Sequence, residues 1–288
     1  MQLTRFTAKM LGRFRLLPFF NTVAGIRING KRFHIPLFGH QGFGNLYLSE
    51  PWMTKILLAL RPVFNGYFLD VGVNLGQTML KAHAVFDQVN YMGFEPNPSC
   101  IVYAQELIRR NEFKAATLLP IAVGSKTEMR KLNFFDDDRA DSSASIIENF
   151  RPGQPIDHYI FVPVFDFHMV SRFLPVEPYS ILKIDVEGAE LEVLQGLNEW
   201  IDGYHPIILM EVLPVYSKEN QTRLGRQQKI EEMLKAWNYK IARIKKDDPV
   251  HPELIDAIGI HDRIEDCDYL LFPAALTEKI SACFNALL

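Results

Sequence analysis

From residue 66 onward, short apolar runs alternate with segments of helical spacing. "YFLDVG" reads as a strand, "GQTMLKAHAVF" as a helix, "VNYMGFEP" as a strand, "PSCIVYAQELIRRN" as a helix and "ATLLPIAVG" as a strand. Further on, "YSILKIDVEG", "HPIILMEV", "YKIARIKK" and "CDYLLFP" read as strands, with "AELEVLQGLNEW" and "GRQQKIEEMLKAWN" as helices. Strands this uniformly apolar are buried on both faces, and their alternation with helices predicts an α/β fold with a mostly parallel sheet covered on both sides.

Residues 1–60 show a different pattern and read as an N-terminal appendage, with the main domain at 61–288. In "GIRINGKRFHIPLFG" two alternating runs flank Asn29-Gly30, a strong hairpin signal that predicts a small β ribbon. "EPWMTKILLALRP" has helical spacing, starting near Pro51 and stopping before Pro62. Within the main domain, "KLNFFDDDRADSSASIIENFRPGQPIDHYIFVPV" is polar and acidic in its middle and apolar at its ends, and reads as an insertion carrying a long loop.

Composition then narrows the class. The chain has 288 residues, 48% hydrophobic and 23% charged, which is ordinary for a globular protein with a large core. A formal net charge of -3 argues against a nucleic-acid partner bound through overall charge. Cys100, Cys267 and Cys283 are odd in number and far apart, so they predict neither a disulfide framework nor a metal pair, and a reducing, cytoplasmic setting fits. No run is long enough to span a bilayer, and no secretory leader pattern opens the chain. "RFTAKMLGRFRLLPFF" mixes Arg and Lys with bulky apolar residues, as a basic helix would that packs on the body or on a second copy, or that touches an anionic membrane peripherally.

The chemistry concentrates at strand ends. A strand followed by a glycine turn and a helix start forms a crevice floored by unpaired N–H groups. A dinucleotide fingerprint starting at Gly72 requires glycines where this chain has Asn74 and Gln77, so it fails at two of three positions. Gly72 and Gly76 let the backbone approach a ligand closely and adopt positive φ, which Asn74 also tolerates.

"DVGVNLG" resembles the first motif of the class I S-adenosylmethionine-dependent methyltransferases. Together with "GFEPNP", "PIAVG" and above all "ILKIDVEGAELEVLQGL", the chain looks like a member of the FkbM methyltransferase family over roughly residues 66–215. The resemblance implies a Rossmann-like sheet of seven strands, the last antiparallel, and O-methylation of a hydroxyl on a sugar, glycan precursor or related small molecule. It implies S-adenosylmethionine held by Asp70, Gly72, Asn74, Gly76, Thr78 and Glu95, with Asp70 receiving the ammonium directly or through water, Thr78 the carboxylate and Glu95 the ribose hydroxyls. Asp141, Ser142 and Ser143 resemble a Ser-rich stretch expected to close over cofactor or acceptor. Asp185, at the end of "ILKID", is the first candidate for base or metal ligand and Glu187 the second, with Lys183 on the same strand face, either paired with a strand-end carboxylate or orienting the acceptor. Glu211 ends the next strand and, by analogy with some O-methyltransferases, makes with Asp185 an oxygen pair suited to Mg²⁺. Glu190 reads as helix capping, and so does Asp166 beside His168.

Two other readings share these features. A nicotinamide-dependent oxidoreductase also carries a strand-end Glu95 but needs the missing glycines. A non-catalytic cofactor-binding scaffold keeps the fold without turnover.

Overall fold

The computed structural model describes residues 2–4, 21–38, 41–47, 49–136, 141–148, 150–151, 153–178 and 180–285. The basic amphipathic segment at 5–20 lies outside them. Among the described residues, no helix is long and apolar enough to cross a membrane.

The main sheet is built from β4 (Tyr67–Val71), β5 (Asn90–Phe94), β6 (Ala116–Leu119), β10 (Ile181–Ile184), β11 (Ile207–Glu211), β12 (Tyr239–Lys245), β13 (His251–Ile255) and β14 (Asp268–Pro273). Across the sheet their order is β13-β12-β14-β11-β10-β4-β5-β6. β4 pairs in parallel with both β5 and β10, so the winding reverses at the β4/β10 boundary, where an open α/β sheet leaves a crevice at its strand ends. β14 inserts antiparallel between β11 and β12. This is the strand order of the Rossmann-like class I methyltransferase fold. Among the described residues this sheet has eight strands instead of the seven expected. β13 extends the sheet as an antiparallel partner of β12, and its exposed, proline-bearing "HPELI" has the character of an edge strand, which apolar periodicity does not flag.

Successive residues of each central strand face opposite layers. Phe68, Ile181, Ile207 and Leu270 enter one core with helices α1 (Pro51–Leu60), α2 (Gln77–Val85) and α8 (Thr277–Asn285), and with Tyr103, Ala104 and Leu107 of α3 (Pro98–Asn111). Leu69, Leu182, Ile208 and Leu271 enter the other, with α4 (Phe167–Val170), α5 (Glu190–Gly196), α6 (Asn198–Tyr204) and α7 (Gln221–Ala236). The expected single helix over "AELEVLQGLNEW" is two, because the chain bends at Leu197 (φ -110°).

The hairpin forms as expected, β2 (Thr22–Ile28) against β3 (Lys31–Leu37), with β1 (Gln2–Thr4) added in parallel. Asn29 and Gly30 have φ of 47° and 78°, as the turn requires. The ribbon is seated on the sheet layer: Lys31 Nζ donates to the carbonyls of His83 and Phe86 at the C-terminal end of α2, a favourable place for a cation. Its Ile26, Phe33 and Ile35 belong to the same core as Phe68.

"ATLLPIAVG" is not one strand. It breaks at Pro120, and β7 (Ala122–Val123) leaves the main sheet to join β9 (His158–Phe165) and β8 (Glu128–Phe134) of the insertion. This second sheet has its own small core and stands beside the crevice.

Candidate active site

The turn after β4 adopts the predicted left-handed backbone, with φ of 90° at Gly72, 48° at Asn74 and 74° at Gly76. The reason for the glycines is the protein's own packing. A Cβ on Gly72 would lie 1.9 Å from the Asp185 carbonyl oxygen, and one on Gly76 would lie 2.8 Å from Leu107 Cδ2. Gly72 lines the cavity, whereas Gly76 caps α2 behind it. Gly72→Ala is therefore expected to cost about 3 kcal/mol, from forced positive φ plus overpacking. A thermal melt should fall by roughly 6–12 °C, and an unchanged melting temperature would show that the two strand ends can part freely.

The cavity holds ≈430 Å³, within the ~300–1,000 Å³ usual for small-molecule sites. Glu95 is at one wall. Its Oε2 accepts the Asn74 N–H and its Oε1 the Asn97 N–H, both at 2.8 Å, so the carboxylate is fixed while each oxygen keeps a lone pair for a ligand. Burial pushes its pKa up to about 7, against the opposing pull of those two N–H groups and of Lys183. The insertion supplies an apolar wall from Leu132, Ala144 and Ile146. Asp141 organises that segment, its carboxylate accepting the N–H groups of Phe135 and Ser143.

Opposite Glu95 runs a chain of charges along the strand ends. Asp70 and Lys183 are register partners on β4 and β10, and Lys183 Nζ lies 3.3 Å from Asp70 Oδ1 and 3.3 Å from Asp185 Oδ2 while donating to the Gly72 carbonyl at 2.8 Å. Burial opposes the Lys183 charge, yet Asp185 and Asp70 hold its pKa above the ordinary value. Burial also works against ionised Asp185, but Lys183 and a hydrogen bond with Glu211 outweigh it and lower its pKa. Glu211 is the reverse case: burial, then the neighbouring Asp185 charge, push it up to about 9. Near neutrality the two carboxyls therefore share one proton and one charge.

Asp185, Glu187 and Glu211 offer oxygens within 4.8 Å of one another. Their charges are nevertheless already compensated. Glu187 is bound to Arg151 at 2.7 Å, Asp185 to Lys183, and Glu211 holds a proton. A divalent ion would have to displace the Glu211 proton and share Asp185 and Glu187 with Lys183 and Arg151, so these residues do not fit Mg²⁺ well.

Of the residues singled out in the sequence, Gly72, Asn74, Thr78, Glu95, Asp141, Ser142, Lys183, Asp185, Glu187 and Glu211 line this one cavity. Asp70 does not. It is fully buried, held by Lys183 and by the Tyr91 hydroxyl, and burial raises its pKa, so an ammonium cannot reach it directly. Ser143 also turns away, its Oγ donating to Asp141 Oδ1. His168 is exposed and off the cavity, beside the Asp166 cap that explains it. Among the polar lining residues, Glu50, Gln77 and Asn97 were not anticipated as part of the site. Glu50 precedes α1 with φ of 53° and pairs with buried Lys81 at 2.9 Å. Its sequence context reads only as a helix start. Asn97 could have been found, since "NPS" is an N-cap signature directly after the Glu95 strand end.

Residues 70–269 match the family model described as the methyltransferase FkbM domain. A curated protein, "Methyltransferase 1" of Beauveria bassiana (strain ARSEF 2860), is 24% identical over 149 residues, 47% of this chain and 59% of that one. The chain thus spans less than two-thirds of that relative's length. Among solved structures, a methyltransferase FkbM from Methylobacillus flagellatus KT aligns over 75% of this chain and 47% of that one, with 14% identity and a TM-score of 0.43. An O-methyltransferase from Bacillus cereus in complex with SAH aligns over 78% and 81%, with 10% identity and a TM-score of 0.40. The fold rests on strand order rather than on these overlays. With more than half of its length matched by that model, the chain belongs to the FkbM methyltransferase domain family.

Proposed function

We propose that the chain is an S-adenosylmethionine-dependent methyltransferase that methylates a hydroxyl of a sugar, glycan precursor or related small molecule. The observation that carries this reading is the pairing, across one cavity at the switch point of the sheet, of a fixed Glu95 carboxylate with an ionised, lysine-held Asp185. The family supports the methyl donor, and the SAH bound to the Bacillus cereus O-methyltransferase is consistent with it.

The donor supplies an activated methyl group on a sulfonium. Glu95 accepts hydrogen bonds from vicinal ribose hydroxyls, and the Gly72–Asn74 turn with Thr78 receives the amino-acid part. The protein's main task is to hold acceptor oxygen, methyl carbon and sulfur in line. As the oxygen–carbon bond forms, the carbon–sulfur bond breaks to leave a neutral thioether, and the acceptor proton passes to Asp185. Protonated Glu211 donates to Asp185 and keeps its carboxylate aimed at the cavity. On this reading turnover is indifferent to removal of divalent ions, and loss of activity on chelation, restored by Mg²⁺, would reverse the judgement on the three carboxylates.

Calorimetric titration with S-adenosylmethionine, S-adenosylhomocysteine and NAD⁺ tests the donor. Binding of the first two alone supports the reading, and NAD⁺ binding instead would return it to the oxidoreductase. Product formation against a panel of hydroxylated acceptors then separates an enzyme from a scaffold.

Affinity should also depend on pH. Folded Glu95 titrates at about 7, above its ordinary value, so the acid form dominates below that point and the carboxylate that accepts two hydroxyls appears above it. S-adenosylhomocysteine affinity is expected to rise with pH through about 7, and Glu95→Gln should flatten that rise while weakening binding by ~1–3 kcal/mol. A steep pH dependence surviving in Glu95→Gln would assign the titration elsewhere.

A further inference from the structure

A second cavity of ≈410 Å³ lies back to back with the first. Consecutive residues of the same segments line opposite sides: Ile146 and Ile147, Glu187 and Gly188, Ala189 and Glu190, Glu211 and Val212. One thickness of chain separates the two spaces.

Its far wall is one face of α7, where Arg223, Arg226, Gln227 and Ile230 stand at helical i, i+3, i+4, i+7 spacing. Arg226 is committed. It forms a two-pronged pair with Glu192 and donates to the Gly188 carbonyl at 2.7 Å, which fixes the dividing wall. Arg223 is different. Its Nη1 donates to the Pro214 carbonyl at 3.0 Å and its Nη2 to the Phe150 carbonyl at 3.1 Å, and the guanidinium lies 4.8 Å from the Phe150 ring centre and 5.7 Å from that of Tyr216. Among the described residues it has no carboxylate in ion-pair contact. Tyr216 also hydrogen-bonds it and Glu190 acts on it through space, but a neutral amide would serve the backbone bonds equally well, so a clamp alone does not account for a half-buried cation with no carboxylate in contact.

Gln227 is a second, independent signal. It is 3% exposed, its Nε2 donates to the Gly259 carbonyl at 2.9 Å, and its Oε1 is buried without a donor. Such an acceptor in a cavity wall asks for a ligand hydroxyl. Of the acidic groups nearby, Glu192 is spent on Arg226 and Glu148 is exposed, while Glu190 lines the cavity with its Oε1 accepting the Gly188 N–H and is pushed up to about 7 by burial, which favours its neutral form beside an anion.

We propose that this second cavity binds a hydroxyl-bearing anion, a sugar phosphate or a sugar carboxylate, with Arg223 binding the anion and Gln227 Oε1 accepting a ring hydroxyl. The inference goes beyond the methyl-transfer reading, because the dividing wall makes this a site separate from the cavity that would hold the reacting hydroxyl.

The test is ligand-observed NMR titration of the full chain with glucose 6-phosphate, glucuronate, glucose and inorganic phosphate, alongside Arg223→Gln, Arg223→Lys and Gln227→Leu. At least one charged sugar is expected to bind about tenfold more tightly than glucose and than inorganic phosphate, and which of the two does so identifies the anion. Arg223→Gln should abolish that advantage, Arg223→Lys should restore part of it, and Gln227→Leu should weaken sugar binding without affecting phosphate. Glucose binding as tightly as both charged sugars, silence from both at millimolar concentration, or an advantage untouched by Arg223→Gln would each overturn the proposal. S-adenosylhomocysteine affinity, measured on every variant, should stay unchanged and reports that the fold is intact. Its absence in the unmutated chain would defeat the donor assignment while leaving the sugar titration readable.

Discussion

Lys183→Met is expected to destabilise the protein by about 3–5 kcal/mol, the cost of leaving a buried charge without its partner. Asp70 has no exposure at all, and the Lys183 side chain is 6% exposed, so water cannot take over. Methionine matches the length of the lysine stem and removes only the ammonium that serves Asp70, Asp185 and the Gly72 carbonyl together. Urea unfolding should show the loss at neutral pH, and the sign of its pH dependence identifies the cause. Asp70 in the variant is a buried carboxylate with a raised pKa, so the folded state binds a proton that the unfolded state releases. The deficit should therefore shrink as pH falls. Asp70→Asn in the same background should recover much of the stability, and failure to do so would mean that the loss comes from packing rather than from stranded charge.

The second large effect is on turnover. With an acceptor in hand, Asp185→Asn should lower the rate by roughly 10²–10⁴-fold, the usual worth of a positioned base, while S-adenosylhomocysteine affinity stays within about twofold. Glu211→Gln is the informative partner. Because Glu211 is pushed up to about 9, it is neutral where Asp185 is charged, and a glutamine amide still donates to Asp185. Its expected penalty is under about tenfold, since only a neutral donor has been exchanged for another. A collapse in Glu211→Gln with a mild Asp185→Asn would exchange the roles of the two carboxyls.

Much of the site was legible because a parallel sheet brings its strand ends to one edge. Glu95, Asp185 and Glu211 each end an apolar run, and wherever those runs pair in parallel their carboxyls meet at one crevice. The positive φ of Gly72, Asn74 and Gly76 was equally readable, being a local property. What escaped depends on partners distant in the chain. Nothing around Asp70 says that its side chain faces Lys183 across a strand pair rather than the ligand, because alternation gives the face of a strand and not the depth. Gly72 looked like a ligand approach, whereas the nearest atom to its missing Cβ is the Asp185 carbonyl, supplied by another strand. Ser143 seemed free to bind, but the adjacent Asp141 takes its hydroxyl. The break at Pro120 was visible as a proline, though not its consequence that β7 joins a different sheet.

The insertion leaves the main body and returns to it at one place. The Gly124 N–H bonds the Phe165 carbonyl at 2.9 Å, and the Asp166 N–H bonds Thr127 Oγ1 at 3.2 Å, so departing and returning strands are fastened together. Between those points the segment carries most of its own small core. In engineering terms it is a cassette with its splice sites already in register. Exchanging residues 125–165 for the counterpart of a relative would recast one wall of the pocket, while the strands bearing Glu95, Asp185 and Glu211 keep their pairing.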